Sequence, residues 1–473
     1  MTVIKLKDIL EAHKKMDYLW TVKEIRRACG VATKGADDEV HGISIDSRTV
    51  KKGDAFIALK NEKDGHDYVI KAYERGAICA IVEKEIDCPI AQIVVADTFK
   101  ALYAMADYQR SHSQGKRIAV TGSCGKTSVK ELLATALQCH KSEASYNNHW
   151  GVPLTLARMP RDAKQSVFEV GMNHAGEIAP LSNLVKPDVA IITNVAPAHI
   201  GAFDSLNDIV VEKTAILEGM KDKKNVIVPL DLYTKYPHYF AEKPYTFSYT
   251  PNTQASSYAD AVQSGLSGQN IVANIMGEMV SFSITLLGEH QVLNALAVLT
   301  AVKVVGGDVQ MAATNMGSQQ AVEGRGLIHN IHGVLLVDES YNANPKSMQV
   351  ALEMLKKRPG MGRRIAILGQ MFELGDKSND MHAALAPLCE ELDTVITVGD
   401  DMKVLFDRLP KSVQKVHYPS QREVNIQKLA TQLEVGDMVM VKGSNGTFWQ
   451  WKFVPRLMNE IERLASVLKN KKA

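Results

Sequence analysis

The sequence has 473 residues, 45% hydrophobic and 23% charged, with 55 Lys and Arg against 53 Asp and Glu for a net charge of +2. At roughly 100–200 residues per domain this length calls for about three cores, and so even a charge balance offers no basic surface for a nucleic-acid partner. Six cysteines without CxxC or zinc-like spacing, a start at Met1–Asp8 unlike an export leader, and no apolar run of membrane-spanning length point to a cytoplasmic chain with no membrane span, expected to be a monomer.

Residues 1–96 read as a small α/β domain of short strands and helices, with turn chemistry at Asp46-Ser47-Arg48, Lys52-Gly53-Asp54 and Asp64-Gly65-His66. A second domain, 97–320, opens with a helical stretch from about Asp97 to Gln114 and then the apolar run Ile118-Ala119-Val120. Val167–Val170 and Val189–Thr193 continue it as strands separated by helical segments, which predicts a parallel βαβ sheet of the nucleotide-binding kind. Tyr245 to Ser283, rich in Ser, Thr and Gly, predicts antiparallel strands or loops before a helix over Asn294–Val305. The third domain, 321–473, repeats apolar strands at Gly333–Asp338, Arg364–Gly369, Thr394–Gly399 and Asp437–Gly443. Strands of that kind predict a doubly wound, Rossmann-like sheet.

Between Val120 and the helix that starts near Ser128 lies Thr121-Gly122-Ser123-Cys124-Gly125-Lys126-Thr127. A strand, a glycine loop and a helix make a phosphate cradle: Gly122 and Gly125 let backbone N–H groups reach an anion, Lys126 reaches the β- and γ-phosphates, and the Thr127 or Ser128 hydroxyl meets Mg²⁺. Position 120 is Val where the longer GxxxxGK[ST] form has Gly, so the loop is the shorter TGxxGKT variant. It implies ATP without settling the reaction, since a kinase or a simple ATPase carries the same loop.

Glu169 and His199 follow strands at the edge where open α/β sheets place ligands, and either is a candidate metal ligand or a hydrogen-bonded loop residue. Arg325, between Gly324 and Gly326, is a candidate cation for a transferring phosphate or a linker charge. Lys213, in Ile209–Leu217, reads by itself as a solvated surface lysine.

Taken together, the loop, Tyr146-Asn147-Asn148-His149-Trp150-Gly151-Val152-Pro153, the Glu169 and His199 segments and Asp338–Pro345 resemble the Mur ligases throughout the chain. Within that family, Ser340–Pro345 and Ile367–Gly375 look like the members that add a dipeptide. The resemblance implies an ATP-dependent ligase of peptidoglycan precursor synthesis that joins D-alanyl-D-alanine to a UDP-N-acetylmuramoyl tripeptide through an acyl phosphate. Its substrate domain, ATP domain and closing C-terminal domain would be those delimited above.

By the same resemblance, Lys126, Lys213, His199 and Arg325 carry the chemistry, and Lys213 is carbamoylated to support a magnesium site with Thr127, Glu169 and His199. Gly122–Ser128, Asn294, Arg325 and Asp338 hold ATP, with Asn294 on the adenine and Asp338 on the ribose. Ser47, Arg48, Asn147 and Asn148 hold the nucleotide-linked substrate, although Ser47 and Arg48 read equally well as turn formers. Gln291 and Asn445 stand where relatives often carry Asn and Arg. The rival readings are a related Mur-type or folylpolyglutamate-type ligase adding one amino acid, and a nucleotide-binding protein without turnover.

Overall fold

The computed structural model describes residues 18–197, 200–265, 268–357 and 362–470. The first residues, read above as lacking a leader, and His199 therefore lie outside the described residues. The chain builds three main sheets, of four, nine and six strands, in that order. No described helix is long and apolar enough to cross a membrane.

The first sheet is parallel, in the order Gly42–Ser44, Asp54–Ile57, Cys79–Val82, Ala91–Val94. Its middle strands, Asp54–Ile57 and Cys79–Val82, are buried at every position, as strands covered on both faces must be. The helix foreseen from Asp97 runs over Thr98–Ser111, and the Asp97 side chain accepts the Lys100 N–H at 2.9 Å to cap it.

In the nine-stranded sheet, Lys116–Thr121 lies between Gln165–Glu169 and Val189–Ile192, parallel to both. Chain order reverses around Lys116–Thr121, so the loop that follows it sits at a topological switch point, where a crevice opens at the strand ends. Alternate residues face opposite layers: Ile118 and Val120 pack beneath the loop helix Lys126–Leu137, and Ala119 packs with Phe168 and Ala190 on the other side. Each Ile, Val or Phe among them, buried in full, is worth about 1.5–3 kcal/mol. The least regular stretch proves to be strand Tyr245–Ser248, which joins the parallel run, followed by an antiparallel meander over Ser257–Ser264, Gln269–Ile275 and Glu278–Ile284. The next helix spans Glu289–Val304 and starts five residues earlier than its apolar run suggests, because Gly288, at φ +106°, turns the chain into it.

The C-terminal sheet has the order Leu327–Ile331, Val334–Glu339, Met438–Lys442, Arg364–Gly369, Thr394–Val398, Gln414–Tyr418. Only the opening hairpin is antiparallel; the remaining pairs are parallel. Its last strand inserts beside its first parallel one, which leaves a second crevice at the ends of Val334–Glu339 and Met438–Lys442. Hydrogen bonds between the units include Trp20 Nε1 to the Ala157 carbonyl at 2.8 Å and Arg158 Nε to the Ile43 carbonyl at 2.6 Å, and, on the C-terminal side, the Gly201 N–H to the Glu373 carbonyl at 3.0 Å.

Candidate active site

The loop after Lys116–Thr121 is held from below by the chain that leaves the neighbouring strand. Ser123 N–H and Cys124 N–H donate to the main-chain and side-chain oxygens of Asn194, at 3.1 and 2.9 Å, and Ser123 Oγ bonds the Ala196 backbone on both its N–H and its C=O. Thr193 Oγ1 donates to the Cys124 carbonyl. Thr193 and Asn194 were not singled out from sequence, and their place directly after a buried strand at the switch point was the available signal.

Gly122 adopts φ +148°, and a Cβ there would lie 1.9 Å from Thr193 Oγ1. Replacing Gly122 with Ala therefore forces loop and brace apart at about 1–3 kcal/mol, which corresponds to roughly five- to 150-fold weaker nucleotide binding. Calorimetric titration with ADP checks this, and wild-type affinity in the variant contradicts it. At Gly125, φ +83°, a Cβ would meet Asn294 Oδ1 at 2.9 Å, so Asn294 abuts the loop. Its Nδ2 donates to Gln291 Oε1 at 3.3 Å. Gln291 also lines, with His290, Arg325, Gly326, Glu339 and Met354, a cavity of about 140 Å³ between the central and C-terminal sheets.

Lys126, the first residue of the loop helix, turns its Nζ back to the Gly122 carbonyl at 2.6 Å. Burial lowers its pKa, with the Arg325 charge acting in the same direction and Glu169 opposing it. Thr127 Oγ1 donates to Glu169 Oε2 at 2.9 Å, and Asn147 Nδ2 donates to Glu169 Oε1 at 2.8 Å. Glu169 is only 1% exposed. Ser128 follows, half-buried, on the same helix.

The Glu169 carboxylate and the Thr127 hydroxyl are hard oxygen donors of the kind that suits Mg²⁺, and the Asn147 amide N–H steadies the carboxylate. Among the described residues no group of three or more His, Cys, Asp or Glu could hold a metal by itself.

Lys213 departs from its surface reading, since it is 2% exposed and its Nζ meets, among the described residues, only the Met172 sulfur, at 3.7 Å. Burial, reinforced by the Lys126 charge, drives its pKa well below the ordinary lysine value and favours the neutral amine. The preceding Glu212 fixes its helix by accepting the Gly176 and Ile178 N–H groups at 2.7 and 2.8 Å.

From the C-terminal side, the Arg325 guanidinium lies 4.3 Å from the Tyr341 ring centre and reaches Ser145 Oγ at 3.4 Å. Asn344, capping the helix Pro345–Lys357, brings its Nδ2 to 3.2 Å from Cys124 Sγ. Asp338 is 1% exposed, and its oxygens take the Gly324 N–H, the Ser340 N–H and the Ser340 hydroxyl. In this structure it braces the turn that presents Arg325.

The remaining expected residues lie in the connecting loops. Asn148 Oδ1 accepts the Trp150 and Gly151 N–H groups. Ser47 is buried, and Arg48 is exposed and paired with Asp46 at 2.6 Å. His66 is buried behind Asp64, so this turn is closed on itself. Asn445 Nδ2 donates to the Tyr341 carbonyl at 3.2 Å and thereby supports the ring beneath Arg325.

Comparison with known proteins gives a consistent picture. Residues 39–110 match the Mur ligase family catalytic domain, 120–302 the Mur ligase middle domain, and 324–445 the Mur ligase glutamate ligase domain. The chain is 32% identical over 440 residues to the UDP-N-acetylmuramoyl-tripeptide–D-alanyl-D-alanine ligase of Rickettsia prowazekii, covering 90% of this chain and 97% of that one. With the enzyme of the same name from Bacillus subtilis it shares 31%, over 86% of this chain and 91% of the other. Among solved structures, MurF from Acinetobacter baumannii superposes with a TM-score of 0.79 at 29% identity, over 93% of this chain and 99% of that one. A MurF ligase from Thermotoga maritima in complex with ADP superposes at 0.75 and 25% identity, over 89% and 98%.

Proposed function

Since this chain belongs to the Mur ligase family, we propose that it is the cytoplasmic, monomeric ligase that uses ATP and Mg²⁺ to join D-alanyl-D-alanine to a UDP-N-acetylmuramoyl tripeptide in peptidoglycan precursor synthesis. The observation that carries this reading is the convergence of Lys126, Arg325, Lys213 and the Glu169–Thr127 pair on one loop, from two sheets. The relatives' names supply the substrates.

In the first step the tripeptide's terminal carboxylate attacks the γ-phosphorus of ATP. The bond to the bridging oxygen breaks, ADP leaves, and an acyl phosphate forms. Lys126 and Arg325 neutralise charge on the transferred group, which is where phosphoryl transfer gains most from the protein. Thr127, Glu169 and His199 would hold a Mg²⁺ ion, which would supply further charge neutralisation there. The neutral Lys213 amine adds CO₂ and loses a proton to give a carbamate, an anionic oxygen donor for that site. In the second step the dipeptide amine attacks the acyl carbon and phosphate departs. Asn294 faces the adenine, Asp338 the ribose, and Ser47, Arg48, Asn147 and Asn148 the nucleotide-linked substrate. Residues 1–96, 97–320 and 321–473 act as the substrate, ATP and closing domains.

A site shaped for a dipeptide pairs its internal amide and its carboxylate, so single amino acids leave buried polar groups unmatched. With the tripeptide substrate held constant, kcat/KM for D-alanyl-D-alanine is expected to exceed that for D-alanine, L-lysine, diaminopimelate or L-glutamate by roughly a hundredfold or more. A single amino acid that outperforms the dipeptide overturns the choice of amine.

A further inference from the structure

Lys130 lies one helical turn beyond Lys126 on the loop helix, and no step described above uses it. It is 0% exposed, an unusual place for a lysine. Its Nζ donates to the Ala144 carbonyl, lies 3.0 Å from Glu131 Oε1 and stands 3.8 Å from Glu169 Oε2. Glu131 is held in turn by Lys141.

The acceptor is the informative partner. Ala144 sits at φ +43°, the left-handed region that a side chain disfavours. The turn it makes sets the direction of the next residues, of which Ser145 receives Arg325 and Asn147 holds Glu169. The Asn147 carbonyl also takes the Gly171 N–H, at 2.7 Å, and ties the same turn to the strand end beyond Glu169.

We propose that Lys130 is a positioning residue that holds the Ala144 turn in its left-handed form, and so places Ser145 and Asn147 against Arg325 and Glu169. The inference rests on the active-site reading given above for those two partners. Lys130 touches no substrate. It acts through the Ala144 carbonyl, and its nearness to Glu169 gives the experiment a distinctive sign. Removing a cation 3.8 Å from a carboxylate makes that carboxylate a better divalent-ion ligand by Coulomb's law, whereas general damage to the site weakens ion binding.

The test compares Lys130→Met with Lys130→Met/Ala144→Gly, since glycine takes a positive φ without a Cβ penalty. For Lys130→Met the expected results are a kcat at least tenfold lower, Mn²⁺ binding to the ADP complex as tight as wild type or tighter, and faster amide exchange confined to residues 143–148. Adding Ala144→Gly is expected to recover at least threefold in kcat and to slow that exchange. If Lys130→Met does not fold, Lys130→Arg, which keeps the charge and shifts the donor, replaces it in both arms with the same expected pattern except for Mn²⁺ affinity, which stays at the wild-type value. Wild-type exchange over 143–148 in the folded variant, or no recovery on adding Ala144→Gly, overturns the proposal. Amide exchange needs no substrate, so it decides the role of Lys130 even if wild-type protein fails to turn over the proposed substrates and the functional reading falls.

Discussion

Lys126→Ala is expected to abolish most turnover while leaving the fold intact. The side chain is half-buried and, among the described residues, bonds only the Gly122 carbonyl of its own loop, so truncation opens no apolar cavity. What is lost is a positioned cation at the phosphates, and losing one such donor costs about 2–4 kcal/mol of transition-state stabilisation, or roughly thirtyfold to a thousandfold in kcat. Phosphate release at saturating ATP, together with the thermal midpoint, separates the two effects. Wild-type release in Lys126→Ala removes the lysine from the mechanism.

Lys213→Ala is expected to lose at least as much activity and, unlike Lys126→Ala, to regain part of it when a short carboxylic acid is added. Burial, with Lys126 repulsion, holds the Lys213 pKa well below the ordinary lysine value and so favours the neutral amine, the form that captures CO₂. The sign with pH follows from the direction of its shift. Folded Lys213 has a depressed pKa, so the neutral amine prevails above that value, and the ammonium forms only as pH falls through it. Loss of the carbamate on acidification should therefore be reversed by added bicarbonate above the depressed pKa but not below it. Full activity of Lys213→Ala without any added acid contradicts the assignment.

The contrast between these two lysines shows what a sequence discloses. Lys126 was legible because glycines, a preceding apolar strand and a following helix state its geometry in consecutive residues, and the structure has that arrangement. The four apolar runs of the C-terminal third were legible for a similar reason, since strands covered on both faces are continuously apolar. The Lys213 helix hides its orientation. Val211 is 47% exposed while Glu212 and Lys213 are buried, the reverse of the pattern by which amphipathic helices are read.

Only the family resemblance directed attention to Lys213, and its burial then supplied the physical reason. Lys130, Thr193, Asn194 and Asn344 escaped because their partners are distant in sequence or lie across a sheet, and no local period encodes such pairings. Asp338 drew attention only through the resemblance, and its hydrogen bonds to Gly324 and Ser340 were not legible, since they depend on how the turn before the hairpin folds back over the strand.

The central claim is that the carboxylate of the nucleotide-linked substrate is activated as an acyl phosphate, and isotope transfer tests it most directly. Tripeptide substrate carrying ¹⁸O in its terminal carboxylate is turned over with ATP, Mg²⁺ and D-alanyl-D-alanine, and the released phosphate is analysed by mass. One ¹⁸O per phosphate, with the amide product retaining the other, is the predicted result, because the oxygen that attacks the γ-phosphorus leaves with it. Unlabelled phosphate alongside amide formation contradicts the account.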